Sequence, residues 1–174
     1  TLHNAGYIES KDLKIGDWII VERAGEVIPQ VVKSHKDKRT GSETLFSMPS
    51  LCPSCGAKLV NREGEAATFC TNSTCPAQLE RLIEHFVSKS AMDIEGIGGK
   101  VGVSLIQNGL IKDVADLYLL EKESLLEIER MGAKSADNMI AALAASKSRP
   151  LARLLAALGI RHVGSEVGEL LARN

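Results

Sequence analysis

The stretch 51–76, LCPSCGAKLVNREGEAATFCTNSTCP, holds all four cysteines of the chain and constrains its fold more than any other. Cys52 and Cys55 form a C-x2-C knuckle, Cys70 and Cys75 form a C-x4-C pair, and fourteen residues separate the two. Two short pairs joined by a loop of this size fit a tetrahedral four-thiolate zinc site. Pro53 and Gly56 suit a tight knuckle whose backbone N–H groups point at the thiolates. Residues 58–62 and 66–69 predict the two strands of a small ribbon turning at Glu63-Gly64-Glu65. Two disulfides or an iron–sulfur cluster are the alternatives. No secretory signal opens the chain and cytosolic thiols stay reduced, which disfavours disulfides, whereas the spacing also admits iron. Four protein ligands leave no position open for water, so the expected zinc is structural.

Composition narrows the rest. The chain is 44% hydrophobic but only 3% aromatic, and Leu, Ile, Val and Ala dominate, which favours closely packed helices over a large sheet sandwich. No apolar run is long enough to span a bilayer. A net charge of −1 gives no sign of a generally basic nucleic-acid binder. The total hides an asymmetry. Residues 91–127 carry three basic and seven acidic side chains; residues 128–164 carry six basic (Arg130, Lys134, Lys147, Arg149, Arg153, Arg161) and two acidic. The second segment is a candidate polyanion face, with a solvated helix face as the plainer reading.

Residues 1–50 read as strands. The runs 17–22 and 27–32 flank Gly25, which is placed for a turn, and 44–46 predicts a third strand beyond a polar stretch. Pro29 donates no ladder hydrogen bond and marks an edge or a bulge. Three strands do not close a barrel, so a β meander or the latter part of a small barrel is expected, with an open edge that needs a partner. From residue 76 the pattern turns helical: Leu79, Leu82, Ile83, Phe86 and Val87 share one face. His85 on that helix is a weaker candidate ligand, since four cysteines already complete the site. Further on, Gly109 is placed to end a helix, Asp113 to cap 114–120, Pro150 to start a helix and Gly159 to end it, with 133–146 a long Ala-rich helix.

Within the helical part a pattern recurs. Ile94-Glu95-Gly96-Ile97-Gly98-Gly99-Lys100-Val101-Gly102 has the form h-x-G-h-G-x3-G, and it returns 34 residues later from Ile128 and 32 residues after that from Ile160. Arg130 and His162 replace the first glycine; Gly98, Gly132 and Gly164 keep the second; Gly102, Ala136 and Gly168 stand four positions on. The spacing predicts a short helix, a glycine hairpin with positive φ, and a second helix that crosses tightly at the small residue. N–H groups at such a helix N-terminus form an anion site, and Lys100 and Lys134, in equivalent positions, reach toward a phosphate. This is a helix-hairpin-helix, a sequence-tolerant binder of the DNA backbone. A tetratricopeptide array shares the period but not its aromatic and Pro pattern. Gly96-Ile97-Gly98 is not a dinucleotide or P-loop motif: no strand precedes it and the G-x4-G-K spacing fails.

The chain resembles the central and C-terminal part of the bacterial NAD-dependent DNA ligases. The resemblance rests on Arg23-Ala24-Gly25-Glu26-Val27-Ile28-Pro29, the four cysteines and the tandem hairpins, in that order. Thr1-Leu2-His3-Asn4, Gly64-Glu65-Ala66, Ala156 and Leu158-Gly159-Ile160-Arg161-His162-Val163-Gly164 add to it. It implies a multidomain α+β chain: the latter part of an OB-type β barrel over 1–50, a small four-cysteine zinc finger over 51–76, and an all-α tandem helix-hairpin-helix domain over 77–174. The motifs lie at 94–105, 128–139 and 160–171, and their odd number suggests a truncated array. The resemblance further implies that Val27 and Ile28 press into the minor groove opposite a nick, with barrel core as the alternative, and that Arg23 contacts nearby backbone. The hairpins, through Gly96, Gly98, Lys100, Gly132, Lys134 and Gly164, would grip phosphates on both strands. The expected partner is nicked double-stranded DNA, sealed during replication and repair.

A family adenylation domain carries a nucleophilic lysine in K-x-D-G, and no lysine here is followed by x-D-G. No catalytic residue is therefore expected. NAD and magnesium would serve the full-length enzyme and not this chain, which would work with the adenylation and BRCT domains of the same polypeptide. The full enzyme is expected to be a cytoplasmic, nucleoid-associated monomer, with this chain free to pair through its open OB edge. The competing readings are a stand-alone zinc and helix-hairpin-helix module of another repair or recombination factor, and a protein-interaction scaffold.

Overall fold

The computed structural model describes residues 2, 4–25, 28–62, 65 and 67–174, with Ala24 described by its backbone. Two compact units, Thr1–Asn72 and Ser73–Asn174, divide the chain.

The first unit opens with a helix, α1 (Ala5–Ser10), where strands were expected. Asn4 explains it, since its Oδ1 accepts the Tyr7 N–H at 3.2 Å as an N-cap. Ile8 of α1 packs with Leu13 and Val31 into a small core, and Tyr7 Oη donates to the Val31 carbonyl at 2.7 Å. Four short strands follow: β1 (Lys14–Ile15), β2 (Ile19–Ala24), β3 (Ile28–Ser34) and β4 (Thr44–Leu45). β2 pairs antiparallel with β3, with an irregularity at Ile20/Val21, and Pro29 lies opposite Arg23. Gly25 takes φ +71° at the turn; Glu26 and Val27 lie outside the described residues.

Of the two expected arrangements, a meander or the latter part of a small barrel, the meander is not formed among the described residues. β4 pairs with β1 instead of β3. The intervening polar segment winds through a 3₁₀ turn, Lys36–Lys38, and Arg39 then forks onto the Asp17 carboxylate with two bonds of 2.7 Å. Arg39 also reaches Asp12 at 3.1 Å. Asp17 is spent on this fork and on the Lys14 N–H at 2.8 Å, which is why β2 begins at Ile19 and not at the expected residue 17.

The cysteine segment forms the predicted ribbon. β5 (Leu59–Asn61) pairs antiparallel with β6 (Thr68–Cys70). Its expected turn at Glu63-Gly64-Glu65 lies partly outside the described residues, as does Ala66.

The second unit is helical: α2 (Pro76–Val87), α3 (Gly99–Gln107), α4 (Lys122–Leu126), α5 (Ala133–Ser146), α6 (Leu151–Ala157) and α7 (Ser165–Arg173). Ile83 and Phe86 of α2 are buried with Leu105, Ile111, Leu117, Leu125 and Met139 in one core. Gly109 and Gly159 take φ of +71° and +64° just past α3 and α6, as the helix-end signals predict. Asp113 does cap, accepting from the Ala115 and Asp116 N–H groups at 2.7 and 3.2 Å. The turn it starts is 3₁₀, Asp116–Leu119, in place of the expected helix over 114–120. Among the described residues no helix is long and apolar enough to cross a membrane.

Candidate metal centre and nucleic-acid interface

The four sulfurs of Cys52, Cys55, Cys70 and Cys75 all lie within 4.8 Å of one another. Cys52 and Cys75 are buried and the other two half-buried. The knuckle closes through the Gly56 N–H to the Cys52 carbonyl (2.8 Å) and the Cys52 N–H to the Ala57 carbonyl (2.7 Å). Gly56 adopts φ +72°, a conformation that glycine takes without strain. Cys75 is at once a member of the cluster and the N-cap of α2, with Pro76 opening that helix.

The charges of this donor set ask for a cation. The Ala57 N–H, with the Asn72 side chain, draws the Cys55 thiol down to about 6. The Asn72 N–H favours the Cys70 thiolate as well, but burial and the neighbouring Cys55 and Cys52 prevail and push Cys70 up to about 11. One thiolate forms readily, and the next is resisted by the first. A dication among the sulfurs removes that resistance and deprotonates coordinating thiols outright. The donors therefore fit a closed tetrahedral zinc site, which supplies structure and no open coordination position. His85 takes no part: its Nε2 lies 2.9 Å from the Ala156 carbonyl.

The three hairpins share one geometry, and it settles which position takes the expected positive φ. That is the first-glycine position of the motif: +92° at Gly96, +66° at Arg130 and +66° at His162. The second glycine is instead the N-cap of the following helix, extended at φ −77° (Gly98), −86° (Gly132) and −92° (Gly164). Its carbonyl accepts the first helical bond, from Gly102 (2.9 Å), Ala136 (3.0 Å) and Gly168 (2.8 Å) respectively. A Cβ built on any of these three N-caps meets nothing within 4 Å. Glycine is thus not needed there for its dihedrals; it leaves bare backbone. No side chain caps α3, α5 or α7, so the first-turn N–H groups lack the side-chain acceptor that a capping residue would supply.

The small residue four positions on does what was expected. A Cβ on Gly102 would stand 3.3 Å from Ile83 of α2, and one on Gly168 only 2.7 Å from the Ala152 carbonyl oxygen of α6. Ala136 is fully buried. Lys100 and Lys134 are exposed beside their hairpins. The third hairpin departs from the pattern, with Glu166 at the equivalent position in the first turn of α7.

The basic run over 128–164 is only partly a polyanion face. Arg149 pairs with Asp93 at 2.6 Å, Arg153 donates to the Ala91 and Lys89 carbonyls, and Lys147 sits 5.7 Å over the Tyr118 ring. These three cations tie the helical unit together; of the rest of the run, Arg130, which pairs with Glu129 at 3.3 Å, Lys134 and Arg161 lie at the second and third hairpins. In the first unit Arg23 is exposed. Ile28 is 61% exposed and does not join the small core; Val27 lies outside the described residues. The role of Arg130 and His162 as the left-handed residues escaped the sequence reading, although their place in the glycine register was the available signal.

A four-thiolate finger followed by hairpins with bare glycine N-caps defines a zinc-bearing helix-hairpin-helix protein. Comparison with known proteins is more specific. Residues 1–43 match the model of the NAD-dependent DNA ligase OB-fold domain and residues 52–77 that of the NAD-dependent DNA ligase C4 zinc finger domain. Residues 88–145 match the SAM-like helix-hairpin-helix tandem. The chain is 51% identical over 173 residues to a DNA ligase of Desulfitobacterium hafniense, covering 99% of this chain and 26% of the relative. It is 55% identical over 172 residues to one from Halothermothrix orenii (98% and 26%) and 51% identical over 172 residues to one from Listeria monocytogenes (99% and 26%). The chain carries the OB-fold and C4 zinc finger domains of the NAD-dependent DNA ligases, and it spans about a quarter of the length of these curated relatives.

Proposed function

We propose that this chain is the part of an NAD-dependent DNA ligase that grips nicked duplex DNA by its backbone. The observation that carries the reading is the threefold repeat of a helix N-terminus capped by a glycine with open space where a Cβ would be. A phosphate oxygen is the acceptor such N–H groups suit, and it carries no sequence information, as a nick-sealing enzyme requires. Lys100 and Lys134 add charge at two hairpins. Glu166 makes the third the weakest grip. The β2–β3 turn, with Arg23, Val27 and Ile28, enters the minor groove opposite the nick and widens it, a form of indirect readout. The zinc holds the finger's fold and does no chemistry. The whole protein joins a 3′-hydroxyl to a 5′-phosphate through adenylated intermediates, with the adenylyl group from NAD; this chain, without K-x-D-G, does not take up AMP by itself.

The test is binding to nicked and intact duplexes of one sequence across a salt series. Each phosphate contact contributes about −0.9 to the slope of log K against log salt. Lys100→Gln and Lys134→Gln are each expected to flatten the slope by about 0.9, equally on both duplexes. Ile28→Ser is expected to erase any preference for the nick and to leave the slope alone. Salt-insensitive binding, or none at low salt, overturns the reading.

A further inference from the structure

A cavity with a basic wall lies in the first unit, at the far end of the β2–β3 ribbon from its turn. Lys11, Lys33, Ser34, His35, Lys36 and Asp37 wall a cavity of about 320 Å³. Two of its cations are engaged: Lys11 Nζ donates to the Val32 carbonyl at 2.8 Å, and Lys36 Nζ pairs with Asp12 at 2.7 Å. Among the described residues no hydrogen bond or ion pair engages the Lys33 ammonium or the His35 ring. Asp37 is the one carboxylate on the wall.

Ser34 supplies an independent sign of a ligand. The residue is 6% exposed, and its Oγ is buried with no hydrogen-bond partner among the described residues. A buried hydroxyl without an acceptor costs free energy that a ligand oxygen restores. The Oγ lies under the wall in the folded chain, and a turn about χ1 is the motion that would bring it to an oxyanion held there.

We infer that this cavity takes a phosphate oxyanion, with Lys33 and His35 as the charged and ring N–H donors and Ser34 Oγ as a neutral one. The proposed function makes a DNA backbone phosphate the source, and to that extent the inference rests on it; a free nucleotide or inorganic phosphate offers the same chemistry. Six strand steps separate Ile28 from Ser34, about 20 Å at 3.3 Å per residue. The phosphate held here would therefore lie well away from the step where Ile28 enters the groove.

The experiment has two arms on the whole 174-residue chain. In the first, inorganic phosphate is titrated against chloride at matched ionic strength, and backbone amide shifts are followed by NMR. Phosphate-specific shifts over residues 33–35 are expected. Ser34→Ala is expected to weaken phosphate several-fold while raising the melting temperature of the free chain; a lower melting temperature with unchanged phosphate binding overturns the role of the hydroxyl. In the second arm, Lys33→Gln is expected to flatten the DNA salt slope by about 0.9. Specific phosphate shifts with an unchanged DNA slope leave the site standing and reject DNA as its source. Specific shifts in a chain that binds no DNA leave it standing while the proposed function fails. Without phosphate-specific shifts the site is refuted, whatever the slope does, since a flatter slope alone reports only long-range charge.

Discussion

Arg130 and His162 hold φ of +66° each where the first hairpin has Gly96. A left-handed backbone costs a residue with a Cβ roughly 1–2 kcal/mol relative to glycine. The Arg130 side chain is 90% exposed, and its ion pair with Glu129 at 3.3 Å is a surface one worth little. Arg130→Gly is therefore expected to stabilise the helical unit by about 1 kcal/mol, offset in part by the entropy glycine adds to the unfolded chain. Urea unfolding checks this, and a loss of stability would show that the arginine side chain carries structural contacts.

Asp17 makes a pH-dependent contribution in the first unit. The Arg39 guanidinium, 2.7 Å away, holds its carboxyl down to about 2 against an ordinary value of 3.8. Burial opposes the shift, and the Lys14 N–H adds to it. A carboxyl whose folded value is depressed stabilises the fold above its unfolded value and ceases to do so as the pH falls through the folded one. Asp17→Asn is thus expected to unfold at lower urea than the unaltered chain at pH 7, with the gap closing between about pH 4 and pH 2. A gap that stays constant over that range would assign the loss to shape and not to charge.

Among the elements, the α6–α7 pair depends most on a missing side chain. A Cβ on Gly168 would stand 2.7 Å from the Ala152 carbonyl oxygen, a backbone atom that moves only if α6 moves. Gly168→Ala is expected to cost about 1–3 kcal/mol through overpacking, read as a lower unfolding midpoint. The same change at Gly102 meets the γ2 methyl of Ile83 at 3.3 Å, a longer contact and with a side-chain atom instead of backbone, and should cost less. What the sequence made legible follows from how local each signal is. The long helix Ala133–Ser146, the helix ends at Gly109 and Gly159, and the β5–β6 ribbon each rest on residues near one another in the chain. The β1–β4 pairing does not. It depends on Arg39 finding Asp17 across 22 residues, a contact with no periodic trace. Helix α1 is six residues long and owes its start to one cap, Asn4, inside a stretch that otherwise reads as extended. The basic run was visible as a count, but only packing shows that Arg149 and Arg153 are tied to residues 89–93.

For the molecule as a whole, three parts divide the work by chemistry. The strand ribbon offers an exposed apolar tip at Ile28. The finger offers a closed set of four thiolate donors. The helical unit offers repeated bare N-termini whose glycines the sequence identified by spacing, without saying which glycine of each hairpin carries the positive φ. The structure separates the two: Gly96 takes the left-handed turn, whereas Gly98, Gly132 and Gly164 are extended N-caps with open space where a Cβ would be.

The most direct test is therefore the double variant Gly98→Asn and Gly132→Asn, measured for helix content, melting temperature and binding to nicked duplex at low salt. Asparagine is a favourable N-cap, accepts a first-turn N–H with its own side chain, and its Cβ meets no neighbour within 4 Å at either position. The account predicts an intact or firmer fold and a DNA affinity lower by about tenfold or more, the scale of one to two lost charge-assisted hydrogen bonds. Unchanged DNA affinity in a folded double variant would contradict it, and would show that the hairpins do not grip the backbone.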